Sequence, residues 1–304
     1  MNRITTGQLC AMGLTGELFV LFCTEGTVSW VTAVGYSIVA GILFAAAIPL
    51  AAFYRQGGKF SRAVEALLLV WLIIWGGMLF SMQWKTSRAI YIPYENSGGI
   101  AGKFLVSGLI GLVCLYISSA GIKALGRAAV IAAAVGTVCL LAAAAGAVKS
   151  REWERLTYDS GASLGGEILR GLKASGGIGA FAVLLGMQRG GYIRSTAVYF
   201  STKAVLSAAV LVSALLVTGG IMQTTDFPVV TAAQLSQPFP SQRIDALFLI
   251  VFTVYAVFAI ALQAAAAAYL MQRIFPGIRR FRSLAAIILM IALASVLTIL
   301  QACS

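Results

Sequence analysis

Residues 173–187 read KASGGIGAFAVLLGM. The stretch is apolar enough to sit in lipid, yet it sets Gly176, Gly177 and Gly179 where a spanning helix is better served by Leu or Ala. A glycine costs about 1 kcal/mol against alanine inside a helix, so three within four positions invite the backbone to open. Glu167, Arg170 and Lys173 lie just before the glycines and make the segment a weak span. An apolar helix built to break needs a reason, and the reason depends on the solvent around it.

Composition identifies that solvent. The chain has 304 residues, of which 60% are hydrophobic and only 11% charged, with a mean hydropathy of +0.93. A soluble domain carries about 45–50% apolar and about 25% charged residues. The expected fold is therefore an all-α polytopic membrane protein in which lipid surrounds most of the chain. Nine apolar segments follow at approximately 7–23, 29–54, 62–84, 100–122, 127–148, 165–188, 194–220, 243–274 and 280–301. Seven reach the roughly 20 residues a crossing helix needs; the first is short and polar-spotted, and the sixth is the weak one. The apolar runs are continuous rather than alternating, which excludes a transmembrane β-barrel. The first segment is not read as a cleavable signal peptide, since its only preceding basic residue is Arg3 and Glu17 interrupts its apolar run.

Charge placement supplies an orientation. Alternating sides through nine spans puts Arg3, Arg55, Lys59, Arg62, Lys123, Arg127, Arg189, Arg194, Arg273, Arg279, Arg280 and Arg282 on one side, with Glu65 the lone acid near it. On the other side Lys85, Arg88, Lys103, Lys149, Arg151, Arg155, Arg170, Lys173 and Arg243 are offset by eight acids. Short basic loops stay inside, so the N-terminus is expected in the cytoplasm and Ser304 outside. The formal charge of +12 is accounted for by this pattern and by the lipid surface, and no nucleic-acid partner is expected. The connector Lys149–Tyr158 reads either as an interfacial helix anchored by Trp153 or as a solvated loop, and Tyr91 and Tyr94 suit an outer aromatic belt.

The chain contains no histidine, which removes histidine-based triads, HExxH zinc sites and histidine proton relays together. Phosphate-binding loops and nucleophile elbows are missing too, so no enzyme, cofactor or metal site is expected. Cys114 and Cys139 fall mid-span as small hydrophobes. Cys23 and Cys303 both come to the outer side, where spacing alone does not decide whether they pair.

Function then rests on polar groups inside the membrane. Glu17 lies halfway along the first segment, in Gly13-Leu-Thr-Gly-Glu-Leu-Phe19. A charge at that depth costs several kcal/mol unless it is paired, hydrated or protonated. Glu17 either belongs to a slack interfacial segment or sits in an opening made by Gly13 and Gly16, where it binds a proton, a cation or an amine; the second reading is favoured. Lys203, about nine residues into the seventh segment, either snorkels to the cytoplasmic face or pairs with a buried acid. Glu65 reads as an interfacial charge.

The first and sixth segments are five apart, and both carry interrupting glycines. Broken helices in matching positions of two halves are the sequence pointer to the binding site of many secondary transporters. The expected division is a single membrane domain, 1–304, with a first repeat of five helices over 1–148 and a second of four over 165–301. The candidate solute contacts are Gly13, Thr15, Gly16, Glu17, Ser175, Gly176, Gly177 and Gly179, with Glu17 and Lys203 as coupling charges. Freed amides suit a carboxylate and freed carbonyls an ammonium, so an amino-acid zwitterion fits such a cradle. The competing reading is that the glycines only let helices approach closely.

Several stretches resemble a known family. Asp226-Phe-Pro-Val-Val followed by Ser241-Gln-Arg-Ile-Asp-Ala-Leu-Phe248 resembles the "FP…RIDALF" signature of the spore-germination permeases, the integral-membrane B subunits of nutrient germinant receptors. Tyr116-Ile-Ser-Ser-Ala-Gly-Ile-Lys-Ala-Leu-Gly-Arg127 is similar to that family's fourth-span ending, and Gln8 with Gly16-Glu-Leu-Phe19 to its opening. The resemblance implies the amino acid–polyamine–organocation superfamily and a leucine-transporter-like inverted repeat with the last helix missing. It also implies an amino acid or similar nutrient as ligand, A-type and lipoprotein C-type partner subunits, and the inner spore membrane. The chain departs from the family in having nine spans rather than ten, Ala180-Phe-Ala182 where an acid is usual, and Glu17 where an apolar residue is usual. A stand-alone permease coupled to protons at Glu17 is the alternative. Arg243 and Asp245 read as a helix start capped by Ser241, or as a subunit or gate contact.

Overall fold

The computed structural model describes residues 4–56, 59–91, 100–147, 161–188, 191–219, 226–235, 245–275 and 282–303. The connector 149–158, Ser241 and Arg243 fall outside these residues. The described chain is all-helical, in eleven helices. These are α1 (Thr6–Phe22), α2 (Trp30–Gln56), α3 (Lys59–Tyr91), α4 (Ile100–Ser119), α5 (Ile122–Ala147), α6 (Leu164–Ala174), α7 (Ile178–Met187), α8 (Tyr192–Thr218), α9 (Pro228–Leu235), α10 (Asp245–Ile274) and α11 (Arg282–Cys303).

The helix count differs from the nine expected segments in two places. The sixth segment is two helices, α6 and α7, bent by 54° at their junction. The short α9 lies between the seventh and eighth segments, with Pro228 at its first helical position, where the missing N–H is no loss. Five of the described helices are long and apolar enough to cross a membrane, and the bent pair taken as one span makes six. The apolar stretches described in α1, α4 and α11 are shorter, at Thr6–Phe22, Val106–Ser119 and Arg282–Leu297. The chain is a multi-pass helical membrane protein by these measures.

Helices α1 and α10 form the middle of the bundle. α1 has residues buried on every side, as expected for a helix apolar all round, and packs on α5, α8 and α10. α10 also meets α3, α4, α5 and α11, and its run Ala264–Ala268 is buried throughout, so small side chains bring neighbouring backbones close. α2 lies against α6, α7 and α8. Lipid-facing side chains such as Leu67, Leu112, Ile131 and Val205 stay exposed on the outer helices, where burying them in protein gains nothing over hydrocarbon.

Connections are short where local chemistry allows. α4 and α5 are joined by Ala120–Gly121, and Gly121 turns with φ +92°, a left-handed conformation that glycine adopts without penalty. α5 thus begins at Ile122 rather than 127, because Lys123 and Arg127 are good helix formers and continue the coil. α1 opens with a capping box: Gln8 N–H donates to Thr5 Oγ1 at 3.3 Å, and Thr5 N–H donates to Gln8 Oε1 at 3.2 Å. Cys23, which closes α1, is a free, buried thiol.

Glycines at helix contacts carry much of the packing. A Cβ at Gly176 would fall 2.1 Å from the indole of Trp75, and one at Gly7 would meet nothing within 4 Å. Gly176→Ala is therefore expected to lower the thermal midpoint of the detergent-solubilised protein by the equivalent of about 1–3 kcal/mol, the usual cost of overpacking a rigid neighbour. Gly7→Ala is expected to leave that midpoint unchanged or raise it.

Candidate functional site

The break between α6 and α7 occupies residues 175–177. Ser175 ends α6: its N–H donates to Leu172 O at 3.1 Å, and its hydroxyl donates to Gly171 O at 2.8 Å. Ile178 N–H donates to Ser175 O at 3.2 Å, and Phe181 N–H donates to Gly177 O at 3.2 Å as α7 starts. The carbonyl released at Gly176 accepts from Trp71 Nε1 at 2.9 Å. Gly177 keeps an ordinary right-handed conformation, φ −62° and ψ −13°. The glycines here serve contact as well as opening, since Gly176 lies under Trp75 and Gly179 under Trp71.

The first segment does not break. α1 runs unbroken through Gly13, Thr15, Gly16 and Glu17, which corrects the expectation of an unwound stretch there. Gly13 instead leaves room for the ring of Tyr199, which a Cβ would meet at 2.5 Å. The physical reason is the cost of unpaired peptide groups: away from water each is worth several kcal/mol, and Glu17 needs no opening once it has a partner.

That partner is Lys203. Its Nζ lies 2.8 Å from Glu17 Oε1 and donates to Ser175 Oγ at 3.1 Å. Tyr199 OH donates to the same Glu17 oxygen at 3.3 Å. Glu17 is 9% exposed and Lys203 3%, so Lys203 does not snorkel. The contacts Thr6–Ser195, Gly13–Tyr199 and Glu17–Lys203 advance together along α1 and α8, which run parallel. The pair therefore ties α1, α8 and the α6 end of the break into one node. The N-terminus of α7 lies beside it, because a Cβ at Gly177 would be 3.6 Å from Glu17 Oε1, and a helix N-terminus favours a carboxylate.

A cavity of about 20 Å³ opens against this node, little more than the roughly 10–15 Å³ that holds one water. Of the expected solute contacts, Gly13, Gly16, Glu17 and Gly177 line it. Thr15 turns back to donate to Met12 O at 3.0 Å. Ser175, Gly176 and Gly179 lie behind the lining, engaged with Lys203, Trp75 and Trp71. The remaining lining includes Trp75, Phe181, Tyr199 and Gln263. Phe181 stacks on Tyr199 with ring centroids 4.2 Å apart. Gln263 had a readable signal, a lone amide inside the apolar run of α10. The aromatic residues had none, since rings are common in any spanning helix.

A second, wider cavity of about 520 Å³ lies toward Glu25, Lys85, Arg170 and Lys173, and Val20 borders both cavities. Its rim is braced by Lys85 against Glu25 at 3.5 Å and by Arg170, which donates to Thr27 O at 2.8 Å and to the carbonyls of Glu25 and Gly26. Glu65, read as an interfacial charge, is 3% exposed and lies 2.7 Å from Arg273.

No protein-family model matches the chain, and no curated protein matches it.

Removing one member of the Glu17–Lys203 pair leaves the other charge buried without a counterion, a loss of about 3–5 kcal/mol for buried pairs. Lys203→Met and Glu17→Gln are each expected to lower the unfolding midpoint in detergent, and the double variant to recover most of the loss. Additive losses would show that the two side chains are not coupled.

Proposed function

We propose that this chain is a transporter-like membrane subunit that binds an amino acid or similar small nutrient beside the α6–α7 break. The observation that carries the reading is the buried Glu17–Lys203 pair set against a broken span and a narrow central cavity. Ionisable side chains within a bundle are expensive and mark solute or ion sites. Broken helices with half-helix ends at mid-bundle are where secondary transporters hold their cargo. The wider cavity on the far side of Val20 gives such a site an approach from one face.

The finer fold assignment belongs to the same reading: nine spans, in a leucine-transporter-like inverted repeat of five and four helices. Helix contacts support it. Shifting each span by five turns the pairing of α2 with α6 into that of α8 with α1, and the pairing of α4 with α10 into that of α11 with α3; all four pairings occur. Spans two and seven, three and eight, and four and nine also pack on each other. The resemblance of 226–230, 241–248 and 116–127 to the spore-germination permeases supports a place in a germinant receptor, with A-type and lipoprotein C-type subunits in the inner spore membrane. Charge placement supports a cytoplasmic N-terminus. Lys85 with Glu25 and Arg273 with Glu65 each join residues assigned to one side.

The buried carboxylate also favours a second reading, a solitary permease coupled to protons at Glu17. Purified protein in sealed vesicles separates the two. The receptor subunit binds a solute from a panel of the common amino acids and simple amines without accumulating it. The permease accumulates it on a proton gradient. Under either reading Glu17→Gln is expected to weaken binding at least about tenfold, equivalent to about 1.4 kcal/mol. Absence of binding across the panel would end both.

A further inference from the structure

We infer that the central cavity selects a small ammonium or primary-amine cation and turns away a ligand carrying a carboxylate; this rests on the solute-binding reading and replaces the amino acid named there with an amine. The expected cradle for a zwitterion needed free amides for the carboxylate. α1 offers none, because it is unbroken through Gly13 and Gly16. The helix N-terminus at hand, that of α7, lies beside the carboxylate of Glu17. A ligand carboxylate drawn to that terminus would meet the carboxylate of Glu17.

The charged side chain that lines the cavity is a carboxylate. Glu17 lines the cavity and Lys203 does not; the ammonium of Lys203 is turned to Ser175 behind the wall. Lys203 and Tyr199 both contact Oε1 of Glu17, and Oε2 accepts no hydrogen bond from the described residues. Gln263 also lines the cavity and is 2% exposed, and its Oε1 has no hydrogen-bond partner among the described residues.

The walls suit the same class of ligand. Trp75, Phe181 and Tyr199 contribute aromatic rings to the lining, and a ring face attracts an ammonium, more so when water is excluded. A carboxylate placed there meets Glu17 and those rings, both unfavourable. The volume of about 20 Å³ admits ammonium as the cavity stands, and methylammonium with a small parting of the rings.

The test uses the full chain in lipid nanodiscs and three probes of matched size: methylammonium, glycine (which adds a carboxylate) and acetate (which lacks the amine). Methylammonium is expected to bind at least about tenfold more tightly than glycine, since the added carboxylate is left buried and unpaired, and acetate is expected not to compete. The neutral Glu17→Gln/Lys203→Met double variant, which keeps the fold without a lone charge, is expected to abolish binding. Glycine binding as tightly as methylammonium overturns the amine selectivity and leaves the solute-binding reading standing. Binding of neither overturns the amine selectivity, and the solute-binding reading falls only if the wider amino-acid panel fails as well. Unchanged methylammonium affinity in the double variant overturns the assignment to this cavity.

Discussion

A carboxylate and an ammonium held 2.8 Å apart within the bundle organise the centre of this molecule. Neither charge is tolerable alone at that depth, and their attraction is strong because little water screens it. Glu17 comes from α1, Lys203 from α8, and the hydroxyl of Ser175, at the end of α6, shares the ammonium. Three helices distant in sequence are thus registered at one point. Helix contacts made only of Leu, Val and Ala slide at small cost, and a buried ion pair fixes which residues face each other.

The glycines show how one residue type serves two purposes in one span. Gly176 and Gly179 lie where indole rings press on the backbone, while the turn they accompany opens the helix by 54°. Gly13 makes room for a ring and opens nothing. The difference lies in what satisfies the peptide groups. At the break, Ser175 and Trp71 supply partners for carbonyls that the helix no longer bonds. Along α1 the peptide groups keep their helical hydrogen bonds through Gly13 and Gly16.

The asymmetry bears on what the site can hold. With one broken helix rather than two among the described residues, and with a carboxylate of the protein beside the N-terminus of α7, the cavity is acidic, aromatic and small. Glu25, Lys85, Arg170 and Lys173 surround the wider cavity beyond Val20, and a ligand approaching from there passes from a mixed-charge mouth to a site whose facing charge is negative. The second feature follows from Glu17, which lines the central cavity.

The amino-acid sequence by itself determined the solvent, the helical class, the approximate ends of most helices and the break at 175–177. Each is a local property, set by runs of apolar residues, by glycine clustering and by charges at helix ends. Glu17 and Lys203 were legible as anomalies, because any charge inside an apolar run is one. Only the tertiary structure decided that the two are partners, that α1 stays whole, that Thr15 and Gly179 stand outside the cavity, and that Tyr199, Trp75 and Gln263 line it. Those outcomes depend on how parallel helices stack and rotate about their axes. An apolar helix presents similar hydropathy on every side, so the chain alone does not say which side faces inward.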